Sequence, residues 1–369
     1  MKRPTILITA GTRPEAIKVA PLIRILRERN FATVRILATA QHRELLDQVF
    51  RFFDLTPDID LNIMQPGQSL AELTSRLLSA VDCTLDTEKP DMVLAQGDTT
   101  TVMTTALACF YRKIPFGHIE AGLRTNDRHY PFPEEINRVI VSRLGDLHFA
   151  PTTLSRDNLV REGVNSETVF VTGNTVIDAL LWAAGRADLP RDYEPTDGRR
   201  LVLVTAHRRE NFGEPLRNIC AAISDLVEAR DVEVLYPVHP NPNVVQTTNE
   251  MLSGLPGVRL VPPLDYPHFV AAMKAAHLIL TDSGGVQEEA PSLGKPVLVL
   301  RDETERPEGV AGGTSILVGP HRERIVSKAL ELLDNPAAYD QIARASNPYG
   351  DGRASERIAD ILSKVLMAR

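Results

Sequence analysis

Short runs of aliphatic and β-branched residues recur along the chain. Each is followed by a polar or glycine-bearing turn and then by a helical pattern. Thr5-Ile-Leu-Ile-Thr9 is the first such run. Gly11-Thr12-Arg13 turns the chain, and Pro14 suits the first position of a helix running to about Arg29. The strand signal returns at residues 34–38, 92–95, 116–119, 147–149 and 169–171, with helical stretches over 69–87, 100–112 and 134–144 between them. Strands alternating with helices predict βαβ units, a parallel sheet and right-handed crossovers. From 183 to 200 the rhythm lapses into a stretch holding Gly185, Pro190, Pro195 and Gly198, which reads as a linker or a peripheral excursion. It restarts at 201–204, 232–235, 258–261, 278–280 and 297–300, and the last periodic stretch is a helix over Ser355–Met367. The pattern predicts an α/β protein of two doubly wound parallel-sheet halves.

The length of 369 residues agrees with two domains at roughly 100–200 residues each. Hydrophobic residues at 43% and charged residues at 24% exclude disordered and fibrous classes. Forty-one basic against 48 acidic residues leave a formal charge of −7. That balance argues against nucleic acid and membrane surfaces as partners, while leaving room for a local basic pocket. Cys83, Cys109 and Cys220 form no CxxC pair, so no zinc knuckle or disulfide framework is indicated, and all three read as core thiols. Pro4 and the charges at Arg13, Glu15 and Lys18 leave no secretory apolar region. No run approaches the ~18 apolar residues of a membrane span, so a cytoplasmic protein is expected.

In doubly wound sheets, ligands sit at the carboxyl ends of the strands, where loops meet helix N-termini. Asp282-Ser283-Gly284-Gly285 has the form of an anion site there, because glycines admit close backbone approach and a helix start favours phosphate. A plain N-cap by Asp282 or Ser283 is the alternative. No Walker loop or GxGxxG is present, which argues against P-loop NTPases and NAD enzymes. Glu288 and Glu289 could accept the hydroxyls of a ribose, or could line an exposed helical face. Arg13, Lys18 and Arg306 suit phosphate oxygens, with surface ion pairs as the alternative. Of Arg208 and Arg209, one could pair with Glu210 while the other faces a ligand. Asp98, Glu120 and Glu134 could be held close enough to yield an acid beside a base. Glu134 could equally decorate a helix first turn. His207 is a general acid/base, a phosphate ligand or a satisfied core histidine. No HxH or HExxH spacing supports a metal site.

Together the segments resemble the non-hydrolysing UDP-N-acetylglucosamine 2-epimerases of bacteria. The resemblance is carried by Gly11-Thr-Arg-Pro-Glu-Ala-Ile-Lys18, Thr39-Ala-Gln-His-Arg43, Gly97-Asp-Thr-Thr-Thr101, His118-Ile-Glu-Ala-Gly-Leu-Arg124 and Phe132-Pro-Glu-Glu135. It continues through Gly173-Asn-Thr-Val-Ile-Asp178, Thr205-Ala-His-Arg-Arg-Glu210, Tyr236-Pro-Val-His239, Thr281-Asp-Ser-Gly-Gly-Val-Gln-Glu-Glu289, Thr304-Glu-Arg-Pro-Glu308 and Asn347-Pro-Tyr-Gly-Asp-Gly352. Ala10, Gln96 and Asn126 stand where Phe, His and Gly are frequent in that family.

The resemblance implies a GT-B-like fold, with two Rossmann-like halves facing a central cleft. The expected halves are 1–172 and 173–354, with a helix at about 355–369 crossing back to the first. It implies a homodimer that interconverts UDP-N-acetylglucosamine and UDP-N-acetylmannosamine without a cofactor or metal, supplying cell-envelope polysaccharide precursors. The implied path is anti elimination of UDP to 2-acetamidoglucal, then re-addition. Asp98, Glu120 and Glu134 are then the acid/base groups, with His207 close to the diphosphate. Arg13, Lys18, Phe269, Ser283, Gly284, Gly285 and Arg306 contact substrate, and Glu289 meets the ribose. Gln41, Arg208 and His239 fit a second, regulatory UDP-sugar site, although Glu44 and Gly67 lack side chains found there in other members. A GT-B glycosyltransferase, a hydrolysing epimerase and a UDP-sugar sensor are the competing readings.

Overall fold

A computed structural model describes residues 3–39, 43–65, 67–195 and 198–367. The chain forms two compact units, Met1–Ala179 with Gly350–Arg369, and Leu180–Tyr349. In the first unit, β1 (Thr5–Ala10), β2 (Thr33–Ala38), β3 (Ile59–Asp60), β4 (Met92–Gln96), β5 (Phe116–Ile119), β6 (Leu147–Ala150) and β7 (Val169–Val171) make one sheet. Its order is β3-β2-β1-β4-β5-β6-β7, and every pairing is parallel. The second unit holds β8 (Arg200–Thr205), β9 (Val232–Pro237), β10 (Val258–Val261), β11 (Leu278–Thr281), β12 (Val297–Val299) and β13 (Ser315–Leu317). Their order, β10-β9-β8-β11-β12-β13, repeats the first six places of the other sheet.

Helices cover both faces, so the central strands are buried on both sides and read as continuous apolar runs rather than alternating ones. Every residue of β4 and β11 is buried. The short edge strands β3 and β13 carry two and three residues, too few for a periodic signal. In each sheet the winding reverses beside the first strand, between β1 and β4 and between β8 and β11. Register at those points sets the neighbours: Gln96 lies opposite Ile119, and Thr281 opposite Thr205. Residues just beyond them therefore emerge side by side.

The first unit continues past residue 172 to Ala179 for a physical reason. Asp178, on the helix Thr175–Ala184, accepts the N–H groups of Ala354 at 3.2 Å and Ser355 at 2.7 Å. It thereby satisfies donors at the start of the helix Ala354–Met367. That helix packs on Arg13–Arg29 of the same unit. One cysteine departs from the expected core placement. Cys109 and Cys220 are buried, but Cys83 lies on the solvent face of the amphipathic helix Leu70–Glu88. Among the described residues, no helix is long and apolar enough to cross a membrane.

Candidate active site

In the first unit the site is built on the loops after β1, β4 and β5. Gly11 ends β1 where a Cβ would collide with the hydroxyls of Thr39 and Thr101. Thr12 then caps the helix Arg13–Arg29 in a reciprocal capping box with Glu15. The buried Glu15 carboxylate accepts from the N–H of Gly11 at 2.5 Å, the N–H of Thr12 at 3.0 Å and Thr99 Oγ1 at 2.5 Å. Burial pushes its pKa up to about 7, against the lowering effect of these hydrogen bonds, while nearby Asp98 adds to the rise. The helix presents Arg13 at its first position, half-buried.

Lys18, on that same helix, reaches Glu120, with Nζ 2.5 Å from Oε1. Asn174 Nδ2 donates to the same oxygen at 2.7 Å, and Gln96 Nε2 donates to Oε2. Glu120 directly follows β5 with φ at +65°, left-handed backbone that costs a side-chain-bearing residue roughly 1–2 kcal/mol. Asp98 is held differently. Its Oδ2 accepts from Arg138 Nε at 2.8 Å and Nη2 at 2.7 Å, while its backbone carbonyl accepts from Asn137 Nδ2 at 2.8 Å. Both partners ride on the helix Glu134–Leu144. Glu135 closes this chain: Oε2 accepts from Arg138 Nη1 at 2.9 Å, and Oε1 from the N–H groups of Thr125 and Asn126. Glu134 is the first residue of the helix and half-buried, and its side chain makes no hydrogen bond or ion pair among the described residues. His118, buried on β5, lies 2.7 Å from the Gly97 carbonyl through Nε2. A carbonyl only accepts, so Nε2 carries the proton. Burial drives this imidazole down to about 3, which keeps it neutral.

In the second unit, Asp282 corrects the expectation of an N-cap. It is wholly buried, and Oδ2 accepts the N–H groups of His207 and Arg208, each at 2.8 Å, and Asn211 Nδ2 at 3.0 Å. Asp282 therefore shapes the loop after β8. Ser283 occupies the cap position of the short helix Gly284–Glu289, and its side chain makes no capping bond. A Cβ on Gly284 would stand 3.9 Å from Nη2 of both Arg208 and Arg306, so two guanidinium groups flank this glycine. At Gly285, the nearest side-chain atoms to such a Cβ are Glu289 Oε2 at 3.7 Å and Ser283 Oγ at 4.0 Å.

The two glutamates of that helix are buried, which overturns the exposed-face alternative for both. Glu288 is also removed from the ribose reading: it accepts from Arg306 Nε. Desolvated at 2% exposure, it needs that cation. Gln287 Oε1 accepts from Thr304 Oγ1 at 2.6 Å, and Thr304 Oγ1 accepts the N–H of Arg306 at 3.1 Å, so the helix pins the arginine loop twice. The Glu210 carboxylate takes Arg301 Nε at 2.5 Å, where Arg208 or Arg209 was the expected partner. His207 Nδ1 lies 3.5 Å from Asp282 Oδ1, and its ring stacks on His239 with centroids 5.3 Å apart. Burial lowers its pKa, with Asp282 opposing and the charges of His239 and Arg208 assisting.

Among the predicted residues, Asp98, Glu120, Arg13, Lys18 and Glu134 thus belong to the strand-end loops and helix starts of one unit. His207, Arg208, His239, Ser283, Gly284, Gly285, Glu289 and Arg306 gather in the other. Arg208 and His239, expected at a second site, lie beside Gly284 and His207. Phe269 is half-buried on the helix Tyr266–Ala275 and shares no hydrogen bond or ring contact with this group among the described residues. Gln41 lies outside the described residues. Glu15, Gln96, Arg138, Asn174 and the architectural role of Asp282 escaped sequence reasoning. Only Glu15 carried a readable signal, the Thr-x-x-Glu capping box. Among the described residues, no group of three His, Cys, Asp or Glu is placed to hold a metal ion.

A family model described as UDP-N-acetylglucosamine 2-epimerase matches residues 24–363. The UDP-N-acetylglucosamine 2-epimerase of Escherichia coli K12 is 51% identical over 367 residues, spanning 97% of this chain and 98% of its own. The crystal structure of UDP-GlcNAc 2-epimerase from Neisseria meningitidis bound to UDP-GlcNAc superposes with a TM-score of 0.90 at 48% identity, covering 98% of this chain and 100% of that one. A glycotransferase of kitacinnamycin, 14% identical with a TM-score of 0.69 over 98% of this chain and 99% of its own, shares the fold alone. The architecture is GT-B-like, with two Rossmann-like parallel-sheet units, and the chain belongs to the UDP-N-acetylglucosamine 2-epimerase family.

Proposed function

We propose that the protein interconverts UDP-N-acetylglucosamine and UDP-N-acetylmannosamine without hydrolysis, by inverting C2 of the sugar. The observation that carries this reading is a division of labour at the strand ends. Asp98 and Glu120 leave neighbouring strands of one unit, with Lys18 on Glu120. Arg208 and Arg306 flank the Ser283-Gly284 turn of the other. The first set suits proton transfer, the second a diphosphate, and the reading requires one substrate to meet both.

A proton on C2 beside an acetamido group is weakly acidic, so departure of UDP must accompany or precede its removal. The C1–O bond breaks with its electron pair leaving on UDP. A carboxylate takes the C2 proton, and the C2–H electron pair becomes the C1=C2 bond of 2-acetamidoglucal. The cationic turn and the Gly284 N–H stabilise the charge that develops on the leaving diphosphate. Return of the UDP oxygen to C1, with a proton delivered to the opposite face of C2, completes the inversion. Asp98, Glu120 and Glu134 are the acid/base groups, while His207 serves the diphosphate and Glu289 the ribose. A homodimer fits the exposed Phe110, Tyr111, Ile136 and Ile140, which sit on the packed helices Thr100–Arg112 and Glu134–Leu144. Supply of a cell-envelope polysaccharide precursor in the cytoplasm completes the reading.

Incubation with UDP-N-acetylglucosamine in D2O, followed by NMR, tests it. The expected result is a mixture with UDP-N-acetylmannosamine carrying deuterium at C2, formed without an acceptor. Absence of both epimer and label sinks the proposal. Stoichiometric free N-acetylmannosamine replaces it with a hydrolysing reaction.

A further inference from the structure

We propose that Gln96 and Asn174 are positioning residues for this reaction, fixing the plane and the ionised form of the Glu120 carboxylate from its two oxygens. The proposal rests on Glu120 acting as an acid/base group. Three observations lead to it. Glu120 stands in left-handed backbone at φ +65°, a conformation that persists in a side-chain-bearing residue only where its surroundings hold it. Its carboxyl group is nearly out of solvent, at 6% exposure, where a charge must be compensated. The compensating cation, Lys18, is a rotatable point charge on a flexible stem and does not by itself set the plane of a carboxylate.

The two amides do. Asn174 Nδ2 donates to Oε1 at 2.7 Å, and Gln96 Nε2 donates to Oε2. Each amide is 2% exposed and anchored on a rigid element. Gln96 is the last residue of β4, in register with Ile119 immediately before Glu120. Asn174 Oδ1 accepts the N–H of Val176 at 3.1 Å, at the start of the helix Thr175–Ala184. An ionised carboxylate only accepts hydrogen bonds, so both amides must turn their NH2 groups toward it. A protonated Glu120 would carry its own O–H into this ring of donors. The arrangement therefore favours the ionised carboxylate, the form able to take up a proton, and since amides do not titrate, it does so across the working pH range.

The test compares Gln96→Leu, Gln96→His and Asn174→Asp with the unaltered protein, using kcat, KM for UDP-N-acetylglucosamine and the pH profile of kcat. Gln96→Leu removes one donor at nearly constant shape. Its kcat should fall about tenfold, as one charge-assisted hydrogen bond is worth, with KM within about twofold. The acid limb of the profile should move to higher pH. Gln96→His returns an N–H at similar reach and should restore much of kcat. Asn174→Asp keeps the acceptor for Val176 and sets a like charge against Glu120, so its loss should exceed that of Gln96→Leu. The proposal is overturned if Gln96→Leu and Asn174→Asp turn over normally, or if kcat falls while the acid limb stays put and Gln96→His restores nothing. If Gln96→Leu no longer binds UDP, Gln96→Glu, which keeps the shape, decides by the same two readouts. Glu120→Gln run alongside separates the two ideas. Normal turnover there refutes the role of Glu120 itself, whereas an inactive Glu120→Gln beside unimpaired amide variants refutes only the positioning.

Discussion

Asp98 and Asp282 lie at corresponding strand ends of the two units, Asp282 directly after β11 and Asp98 two residues past β4. Each follows the strand that pairs with the first strand of its sheet, β4 on β1 and β11 on β8, at the point where the winding reverses. Their surroundings diverge. Asp282 is fully buried, and one of its oxygens takes three donors, two of them backbone N–H groups of the loop after β8. Asp98 keeps a quarter of its side chain exposed, and among the described residues its carboxylate accepts from Arg138 alone. The same strand end thus carries an architectural carboxylate in one unit and, under the proposed function, an acid/base group in the other. What separates them is whether backbone donors have used up the oxygen. The same contrast runs through the ion pairs. In the first unit a lysine serves a carboxylate, Lys18 on Glu120; in the second a buried carboxylate, Glu288, serves an arginine.

The largest expected effects test this contrast directly. Asp98→Asn keeps the shape and removes one of the proposed acid/base groups. Turnover of UDP-N-acetylglucosamine should fall by roughly 10²–10⁴, the range of general acid–base catalysis, while UDP binding by calorimetry stays measurable. Asp282→Ala should do the reverse. It leaves buried N–H groups without an acceptor at about 1–3 kcal/mol each, so the urea transition of the intact protein should shift by about 3 kcal/mol or more. UDP binding should weaken with it as the His207–Arg208 loop loses its shape. Near-normal turnover in Asp98→Asn, or an unmoved urea transition in Asp282→Ala, breaks the comparison on that side. A smaller effect sharpens it. Glu288→Gln keeps a hydrogen-bond acceptor for Arg306 but loses the charge, about half the strength of the contact. A loss of about 1 kcal/mol in UDP affinity, roughly fivefold, is expected, with the glucal-forming step unaffected once substrate saturates.

What could be read from the chain, and what could not, follows from the range over which each signal acts. The strand rhythm was legible because parallel strands buried on both faces are written as unbroken apolar runs, as in Met92–Gln96 and Leu278–Thr281. Polar residues straight after such runs, Asp98, Glu120 and Asp282, were legible as candidates for the same reason. Their partners were not. Gln96 is 24 residues from Glu120, Asn174 is 54, and Arg138 lies 40 from Asp98. Those pairings exist only once β4, β5 and the following helices are assembled. Spacing could not show that Asp282 turns its carboxylate backward to a loop 74–75 residues earlier, or that Glu288 is spent on Arg306. Side-chain direction at a helix start is decided by tertiary donors, and for Asp282 and Glu288 those donors lie far away in sequence.

The smallest effect expected lies in how stability depends on pH, and it concerns two groups buried next to the strand-end loops of the first unit. His118 is held near 3 by burial, well under its ordinary 6.5. The unfolded chain then binds a proton that the folded one refuses, so stability is lost as pH falls from about 6.5 toward 3. Glu15 is raised to about 7 from 4.5, and here the folded chain holds the extra proton. Stability from this group is lost as pH rises from about 4.5 through 7. Between those limits the Glu15 slope opposes that of His118, but His148 and His277, each held to about 4 chiefly by burial, add to the histidine side, so the urea midpoint of the unaltered protein should rise from pH 4.5 to 6.5. His118→Gln should make that rise shallower, and the downward slope of Glu15 should show between pH 6.5 and 7, where the histidines no longer contribute. Glu15→Gln should steepen the rise, because the histidine slopes then run unopposed. Identical pH profiles for the two variants would show that neither buried group titrates with folding.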